Sequence, residues 1–111
     1  MEIAEVVLCK VYFSSLNTFK NRPVLVLKDN LPYNDFIGIP ISSQIERLQF
    51  DEFIISNNDF ENGKIPKQSK VMIRKVFTIS KNNVIKIYGK LNKEKFTEIN
   101  KIFCNYFECK G

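Results

Sequence analysis

Residues 21–27 read Asn-Arg-Pro-Val-Leu-Val-Leu, with a guanidinium directly before an apolar run. The run is too short for a helix, is rich in β-branched residues and ends before Asp29-Asn30, so it predicts a strand buried on both faces. Because proline has no backbone N–H, Pro23 belongs at the start of a strand or on an edge. Arg22 is then expected where a core strand emerges, and a guanidinium held there can bind a phosphate or carboxylate through two hydrogen bonds. A solvated arginine at the rim is the alternative interpretation.

Apolar patterns on both sides of this run predict further strands. Residues 5–13 alternate and then become apolar, which is typical of a first strand. Residues 14–21 predict a polar loop, either an ordinary connection or a mobile flap beside Arg22. In residues 70–77, Val71 and Ile73 are expected to point inward and the basic side chains outward. The predicted strands are 5–13, 22–28, 36–42, 51–56, 70–77 and 84–90.

A hairpin centred on Pro32 would pair residues whose numbers sum to 64. Arg22 then opposes Ser42 and Leu27 opposes Ile37. One face of this hairpin would pack into the core through Leu25, Leu27, Ile37, Ile39 and Ile41. The other face would carry Arg22, Gly38, Pro40 and Ser42, whose mostly small side chains leave room for a ligand. A bulge in either strand would change this pairing.

A helix is predicted at residues 93–107, with Asn92 as its N-cap. Its apolar residues form one stripe that is expected to face the core, namely Phe96, Ile99, Ile102, Phe103, Tyr106 and Phe107. The predicted fold is therefore mainly β, a small bent barrel or sandwich of about six or seven strands, with a C-terminal α-helix docked across one end of the sheet.

With 111 residues, the chain predicts a single domain spanning residues 1–111. No apolar span approaches the roughly 18 residues of a membrane helix. The acidic start is not a secretory signal, so a cytoplasmic protein is expected. Apolar residues such as Phe36, Phe53 and Phe60 exceed what one helix-covered sheet would bury, which favours a protein interface.

The cysteines and the missing histidine restrict the possible chemistry. Cys9, Cys104 and Cys109 lack metal-ligand spacing, and with no histidine in the chain a zinc site is not expected. The three cysteines are expected to be reduced thiols in or near the core. Acid-base chemistry near neutral pH would need Arg, Lys, Tyr, a carboxylate or the substrate itself.

The chain carries 17 Lys and Arg against 12 Asp and Glu, a formal net charge of +5. Excess positive charge favours a nucleic-acid partner, because each neutralised phosphate releases counterions. A lysine-rich background composition is the alternative explanation. Against that background the three arginines, Arg22, Arg47 and Arg74, indicate positions where guanidinium geometry is needed.

Five segments occur in an order and spacing that resemble the MazF/PemK/Kid family of toxins from type II toxin-antitoxin modules, over residues 5–107. The Arg-Pro and Pro-Ile-Ser-Ser-Gln elements are the most specific. The segments are Val6-Val7-Leu8 leading to Tyr12-Phe13-Ser14, then Asn21-Arg22-Pro23-Val24-Leu25-Val26, Ile39-Pro40-Ile41-Ser42-Ser43-Gln44, Ser69-Lys70-Val71-Met72-Ile73 and Gly89-Lys90-Leu91. The resemblance implies an SH3-like barrel, a homodimer and a sequence-specific endoribonuclease that needs neither metal nor cofactor. It also implies an antitoxin partner whose extended tail covers the site.

By this resemblance Arg22 and Ser42 would be the catalytic residues. The 2′-hydroxyl of single-stranded RNA would attack the adjacent phosphorus and leave a 2′,3′-cyclic phosphate and a 5′-hydroxyl. Arg22 would stabilise the developing charge, and Ser42 would hold the phosphate or the 2′-hydroxyl. The residues expected to bind RNA are Phe19, Lys20, Asn21, Ser43, Gln44, Arg74 and Lys75.

The sequence departs from the family at two places. Ala4-Glu5 replaces the usual Gly-Asp, and Phe77 stands where many members have an arginine, so Arg74 or Lys75 could supply that charge. Two alternatives therefore stay open: a non-catalytic RNA-binding domain, and a protein-binding toxin like the gyrase-poisoning CcdB relatives.

Overall fold

Eight β-strands and one α-helix organise residues 1–109, which are the residues that this computed structural model describes; at Phe13 it describes the backbone alone. Residues 110 and 111 of the predicted domain lie outside the described residues. The elements are β1 Glu5–Phe13, β2 Thr18–Leu31, β3 Asp35–Ser42, β4 Glu52–Ile55, β5 Phe60–Gly63, β6 Ser69–Met72, β7 Phe77–Ser80, β8 Val84–Leu91 and α1 Lys93–Tyr106. The mainly β prediction is confirmed, but the predicted number of strands was too low.

The strands form one curled antiparallel sheet in the order β4-β6-β3-β2-β1-β8-β5, and β7 pairs with β3 beside β6. The predicted strand at 70–77 is wrong, because a 3₁₀ turn at Ile73–Lys75 divides it into β6 and β7. β3 pairs Ile41 with Val71 and Gly38 with Phe77. Between these two pairs the segment from β6 to β7 therefore has more residues than β3 has, and the 3₁₀ turn accommodates the extra residues.

The β2–β3 hairpin confirms the predicted register in its central part. Val24 pairs with Pro40, Leu25 with Ile39 and Val26 with Gly38. Beyond Val26 the register shifts, and Ile37 pairs with Lys28 rather than with Leu27. The shift is a bulge near the turn, where the backbone also adopts positive φ at Asn30, Tyr33 and Asn34. The predicted pairing of Leu27 was therefore wrong.

The segment predicted as a loop or flap at residues 14–21 is strand in its second half. A 3₁₀ turn at Ser14–Leu16 reverses the chain, and residues 18–21 of β2 pair with β1. All four residues are exposed. A strand with no buried face does not show the alternation of apolar and polar residues that indicates a half-buried strand, so the sequence pattern did not reveal it. The strand pattern also did not predict β5 at Phe60–Gly63. There Gly63, at φ 70°, lies against Gly89, and a Cβ on Gly63 would be 2.2 Å from the carbonyl oxygen of Tyr88.

Two apolar clusters fill the two faces of the curled sheet. The first cluster contains Ala4, Val6, Leu25, Ile39, Ile41, Ile55, Ile65, Val71, Ile73, Leu91 and Ile99. The second contains Val7, Cys9, Val24, Val26, Phe36 and Ile79. Gly38 lies against the second cluster, because a Cβ there would be 2.3 Å from Val24 Cγ1. Of the hairpin face that was predicted to be open, the part around Gly38 is therefore covered, whereas Arg22, Pro40 and Ser42 lie on an open surface.

The apolar residues that were predicted to exceed what the sheet and helix could bury pack inside the molecule instead. Phe36 is fully buried, and Phe53 and Phe60 pack against the first cluster. Of the cysteines, Cys9 is buried in the second cluster, and burial raises its pKa to about 11. Cys104 is partly buried and Cys109 is exposed, so the expected core position is wrong for Cys109, which follows the helix.

The C-terminal helix confirms its predicted start. Asn92 caps it, because its side-chain oxygen accepts a hydrogen bond from the backbone N–H of Lys95 at 2.7 Å. Ile99 is fully buried, and Phe96 and Phe103 pack against the first cluster, whereas the last stripe residues, Tyr106 and Phe107, are exposed. In the described residues no helix is long and apolar enough to cross a membrane.

Candidate functional site

A groove of about 760 Å³ lies at the open end of the β2–β3 hairpin. The turn at Ile73–Lys75 and the irregular segment 43–50 contribute to its walls. Its lining residues are Val11, Arg22, Pro40, Ser42, Gln44, Glu46, Arg47, Gln49, Glu52, Lys70, Met72, Arg74, Lys75 and Phe77. Five of these side chains are cationic and two are carboxylates, so the groove has an excess of positive charge that attracts a polyanion.

Arg22 and Ser42 lie together in this groove, as the hairpin model expected. Continuing the observed pairing of Val24 with Pro40 by two residues along each strand places them opposite each other and on one face. Ser42 is only 9% exposed, and its Oγ accepts a hydrogen bond from the backbone N–H of Gln44 at 3.2 Å. A hydroxyl that accepts in this way still has its own hydrogen to donate to a ligand.

Arg74 and Lys75 reach the groove from the 3₁₀ turn. Arg74 Nη1 donates to Asp51 Oδ1 at 2.7 Å, and its Nη2 is 4.0 Å from Glu52 Oε2. The hydrogen bond to Asp51 and the charge of that carboxylate raise the pKa of Arg74, and Glu52 adds to the effect. Asp51 is 2% exposed and its second oxygen has no hydrogen-bond partner within residues 1–109. The Arg74 guanidinium is thus held in the groove with a fixed charge.

Lys70 is buried, contrary to the prediction that it would point into solvent. Its side chain does face away from the core as the alternation indicates, but segment 43–50 covers that face. Lys70 Nζ donates to Glu52 Oε1 and to the backbone carbonyl of Arg47, each at 2.8 Å. Burial alone would raise the pKa of Glu52, but hydrogen bonds from Lys70 and from the backbone N–H of Gln49 outweigh it and lower the pKa below 4.5.

Apolar side chains form the opposite part of the groove. Phe77 and Val11 both line it, and both pack against the second apolar cluster. The position that carries an arginine in many toxins of the resembled family is therefore an apolar contact here. Arg74, three residues earlier, puts a guanidinium into the same groove.

The predicted site residues divide into two groups. Arg22, Ser42, Gln44, Arg74 and Lys75 line the groove, whereas Phe19, Lys20, Asn21 and Ser43 do not. These four are exposed beside it.

Phe19 and Lys20 lie on the β1–β2 hairpin. Phe19 has its ring 5.1 Å from that of Tyr12 and the Lys10 ammonium 5.1 Å from its centroid. Lys20 is paired with Val11, which lines the groove. This part of the hairpin therefore adjoins the groove.

Sequence reasoning missed several lining residues in or next to segment 43–50. No periodicity or motif spacing in the sequence indicated that Glu46, Gln49 and Glu52 would line a site. Arg47 could be noticed only because it is one of three arginines. Lys70 was assigned to the solvent. What brings them together is the folding of an irregular segment over the end of β6, which no local pattern indicates.

Comparisons with known proteins agree with the fold. The structure is similar to a mycobacterial endoribonuclease in complex with its cognate antitoxin (TM-score 0.75, 13% identity, covering 100% of this chain and 98% of that one). It is also similar to Mycobacterium tuberculosis toxin MazF-mt6 (TM-score 0.68, 18% identity, 95% and 99% covered) and to another mycobacterial endoribonuclease (TM-score 0.71, 14% identity, 97% and 91% covered). No curated protein matches by sequence.

A model of one protein family matches residues 3–107, which is nearly the whole chain. The chain therefore belongs to the PemK-like, MazF-like toxins of type II toxin-antitoxin systems.

Proposed function

We propose that this toxin is a sequence-specific endoribonuclease that cleaves single-stranded messenger RNA without a metal ion. The observation that carries the proposal is the position of Arg22 and Ser42 in one positively charged groove. Membership of the toxin family and the likeness to mycobacterial endoribonucleases support it. Because its substrate would be messenger RNA, the toxin would act in the cytoplasm.

The proposed reaction uses the nucleophile of the RNA itself. The 2′-oxygen forms a bond to the adjacent phosphorus and loses its proton, while the bond from phosphorus to the 5′-oxygen breaks and that oxygen gains a proton. Negative charge grows on the non-bridging oxygens, where the Arg22 guanidinium stabilises it more in the transition state than in the ground state. The Ser42 hydroxyl donates to the phosphate or orients the 2′-hydroxyl. The products are a 2′,3′-cyclic phosphate and a 5′-hydroxyl.

The remaining groove residues would bind the RNA chain. Arg74 and Lys75 would attract the phosphates, and Arg74 would supply the second guanidinium that Phe77 does not provide. Gln44 and Ser43 would contact nucleotides at the start of segment 43–50. Phe19, Lys20 and Asn21 would extend the contact along the β1–β2 hairpin, with Phe19 as a stacking surface for a base.

Two protein partners belong to the proposal. An antitoxin with an extended acidic tail would inhibit the toxin by filling the groove, whose positive excess complements such a tail. A structural neighbour is an endoribonuclease in complex with its cognate antitoxin, which supports an antitoxin as a partner of this chain. The chain would also form a homodimer, as the family resemblance implies.

The test is to incubate the purified protein with a long single-stranded RNA in EDTA and to map the new ends by primer extension. We expect discrete cuts at one short sequence. Arg22→Ala should reduce the cleavage rate by about 100- to 1000-fold, the typical loss for one preorganised charge-stabilising donor. Lys86→Ala, which removes an exposed cation of β8 outside the groove, is the control and should cut at the normal rate. Normal cleavage by a folded Arg22→Ala variant would exclude the proposed role.

The position of Phe77 favours one competing function, a domain that binds RNA without cutting it. Tight RNA binding by the folded protein, with the RNA left intact, would establish that function. Toxicity that survives Arg22→Ala and is accompanied by DNA-damage signalling with intact RNA would instead indicate a protein-poisoning toxin.

A further inference from the structure

We propose that Lys70 and Glu52 are positioning residues that hold segment 43–50 as a fixed wall of the groove, and that this wall selects which RNA bases are accepted. The second part rests on the proposed function. Neither residue needs to touch the reacting phosphate, because both act through the backbone of the segment.

Segment 43–50 has the side chains that base selection requires. It contains no strand or helix, yet Gln44, Glu46, Arg47 and Gln49 all line the groove. Amide, guanidinium and carboxylate groups are the side chains that form paired hydrogen bonds with base edges. Single-stranded RNA exposes these edges, and proteins that recognise its sequence read them there. The four side chains are therefore of the kinds that read base edges, and they line the groove.

The buried pair fixes the far half of this segment. Lys70 Nζ donates to the carbonyl oxygen of Arg47 at 2.8 Å, and Glu52 Oε1 accepts from the backbone N–H of Gln49 at 2.9 Å. The backbone N–H of Glu52 also donates to the carbonyl of Gln49 at 3.1 Å. Ser42 fixes the near end through its bond from the Gln44 N–H. An exposed segment without regular structure is thus held at its start, its middle and its end.

The burial of the pair indicates that it does more than fill space. Lys70 is 9% exposed and Glu52 is 4% exposed, and the two charges are 2.8 Å apart. Two apolar side chains of similar volume often stabilise a fold as well as a buried ion pair does. Apolar side chains could not donate to Arg47 or accept from Gln49. What the charged pair supplies and an apolar pair cannot is the directed contact with the segment.

The test uses the double variant Lys70→Met/Glu52→Leu, which removes both buried charges together and so leaves neither unpaired. Amide hydrogen exchange should become at least tenfold faster at Gln49. Primer extension on a long RNA should show cuts at additional sequences. On a short RNA containing the preferred site, KM should rise about tenfold while kcat stays within threefold, because Arg22 and Ser42 are unchanged.

The matched control is Lys81→Met/Asp29→Leu, which removes an ion pair of 2.7 Å whose residues do not line the groove. It should keep the normal cutting pattern. If the double variant does not fold, Lys70→Met alone serves, because Arg74 remains beside Glu52. The cutting pattern is then the readout, since the Gln49 N–H keeps its acceptor on Glu52 and only the contact with Arg47 is lost.

Two results would overturn the inference. The first is unchanged exchange at Gln49 in the folded variant, which would show that the pair does not hold the segment. The second is faster exchange with the same cut sequences and the same KM, which would show that the held segment does not select bases. Failure of the unaltered protein to cut RNA would refute the proposed function and base selection together, while the exchange measurement would still decide whether the pair holds the segment.

Discussion

At the scale of single residues, the cations of the groove have different surroundings. Lys70 is paired with Glu52, and Arg74 is paired with the buried carboxylate of Asp51. Lys75 is exposed and takes part in no ion pair among the described residues. Its ammonium is therefore available to a phosphate without first leaving a carboxylate.

We expect Lys75→Gln to weaken RNA binding in a salt-dependent way. Losing one phosphate contact should lower the slope of log K against log salt by about 0.7, the value for a single strand. The binding titrations are made in an Arg22→Ala background so that the RNA stays intact. The control is Lys101→Gln, at an exposed position in the helix, where lysine and glutamine have similar helix propensities. This substitution should leave the slope unchanged. Equal slopes for Lys75→Gln and its parent would show that Lys75 contacts no phosphate.

At the scale of elements, the helix shows where a local signal is sufficient and where it is not. The Asn92 cap depends only on residues within one turn and forms as predicted. The apolar stripe also depends on what lies opposite it. The sheet covers Ile99, while Tyr106 packs edge-on against Phe107 and lies 6.1 Å from the ring of Phe50 near the surface. The same periodicity therefore places side chains in the core along one part of the helix and leaves aromatic rings exposed at its C-terminal end.

We expect Asn92→Ala to lower the free energy of unfolding by about 0.5–2 kcal/mol, because the Lys95 N–H would lose its acceptor. Urea denaturation monitored by circular dichroism measures the change. Asn100→Ala, an exposed site within the same helix, should be neutral or slightly stabilising, because alanine has the higher helix propensity. Equal effects of the two substitutions would contradict the capping role.

At the scale of the whole molecule, carboxylates paired with lysines link stability to pH. Hydrogen bonds from Lys70 and Gln49 outweigh the effect of burial and lower the pKa of Glu52 below 4.5, so the native state binds fewer protons there than the unfolded chain does. The stabilisation is complete above about pH 4.5 and is lost as the pH falls through the lower pKa of the folded state. The pKa values of Glu2 and Asp29 are also lowered, through hydrogen bonds from Lys90 and Lys81.

We expect the free energy of unfolding to decrease as the pH is lowered from 5 to 3, and to decrease less in Lys70→Met/Glu52→Leu than in the unaltered protein. Urea denaturation at each pH gives both curves. The contributions of Glu2 and Asp29 remain in the variant, so its curve should be shallower rather than flat. Parallel curves would indicate that Glu52 does not titrate differently in the folded and unfolded states.

The sequence by itself determined the features that depend on near neighbours. Alternation defined β1 and the central part of β3, and the hairpin model gave the register near Val24 and brought Arg22 and Ser42 into one groove. The motifs around Arg22 and Ser42 identified the family. These predictions succeeded because strand periods and helix caps are set by residues a few positions apart.

Only the tertiary structure decided which surfaces are covered. The second apolar cluster fills the face beside Gly38 that the hairpin model left open, and segment 43–50 buries Lys70 although the strand pattern directs it outward. Residues 18–21 form strand because β1 supplies their hydrogen-bond partners. Burial depends on elements that are distant in sequence and packed from another side, so no local pattern in the chain could determine it.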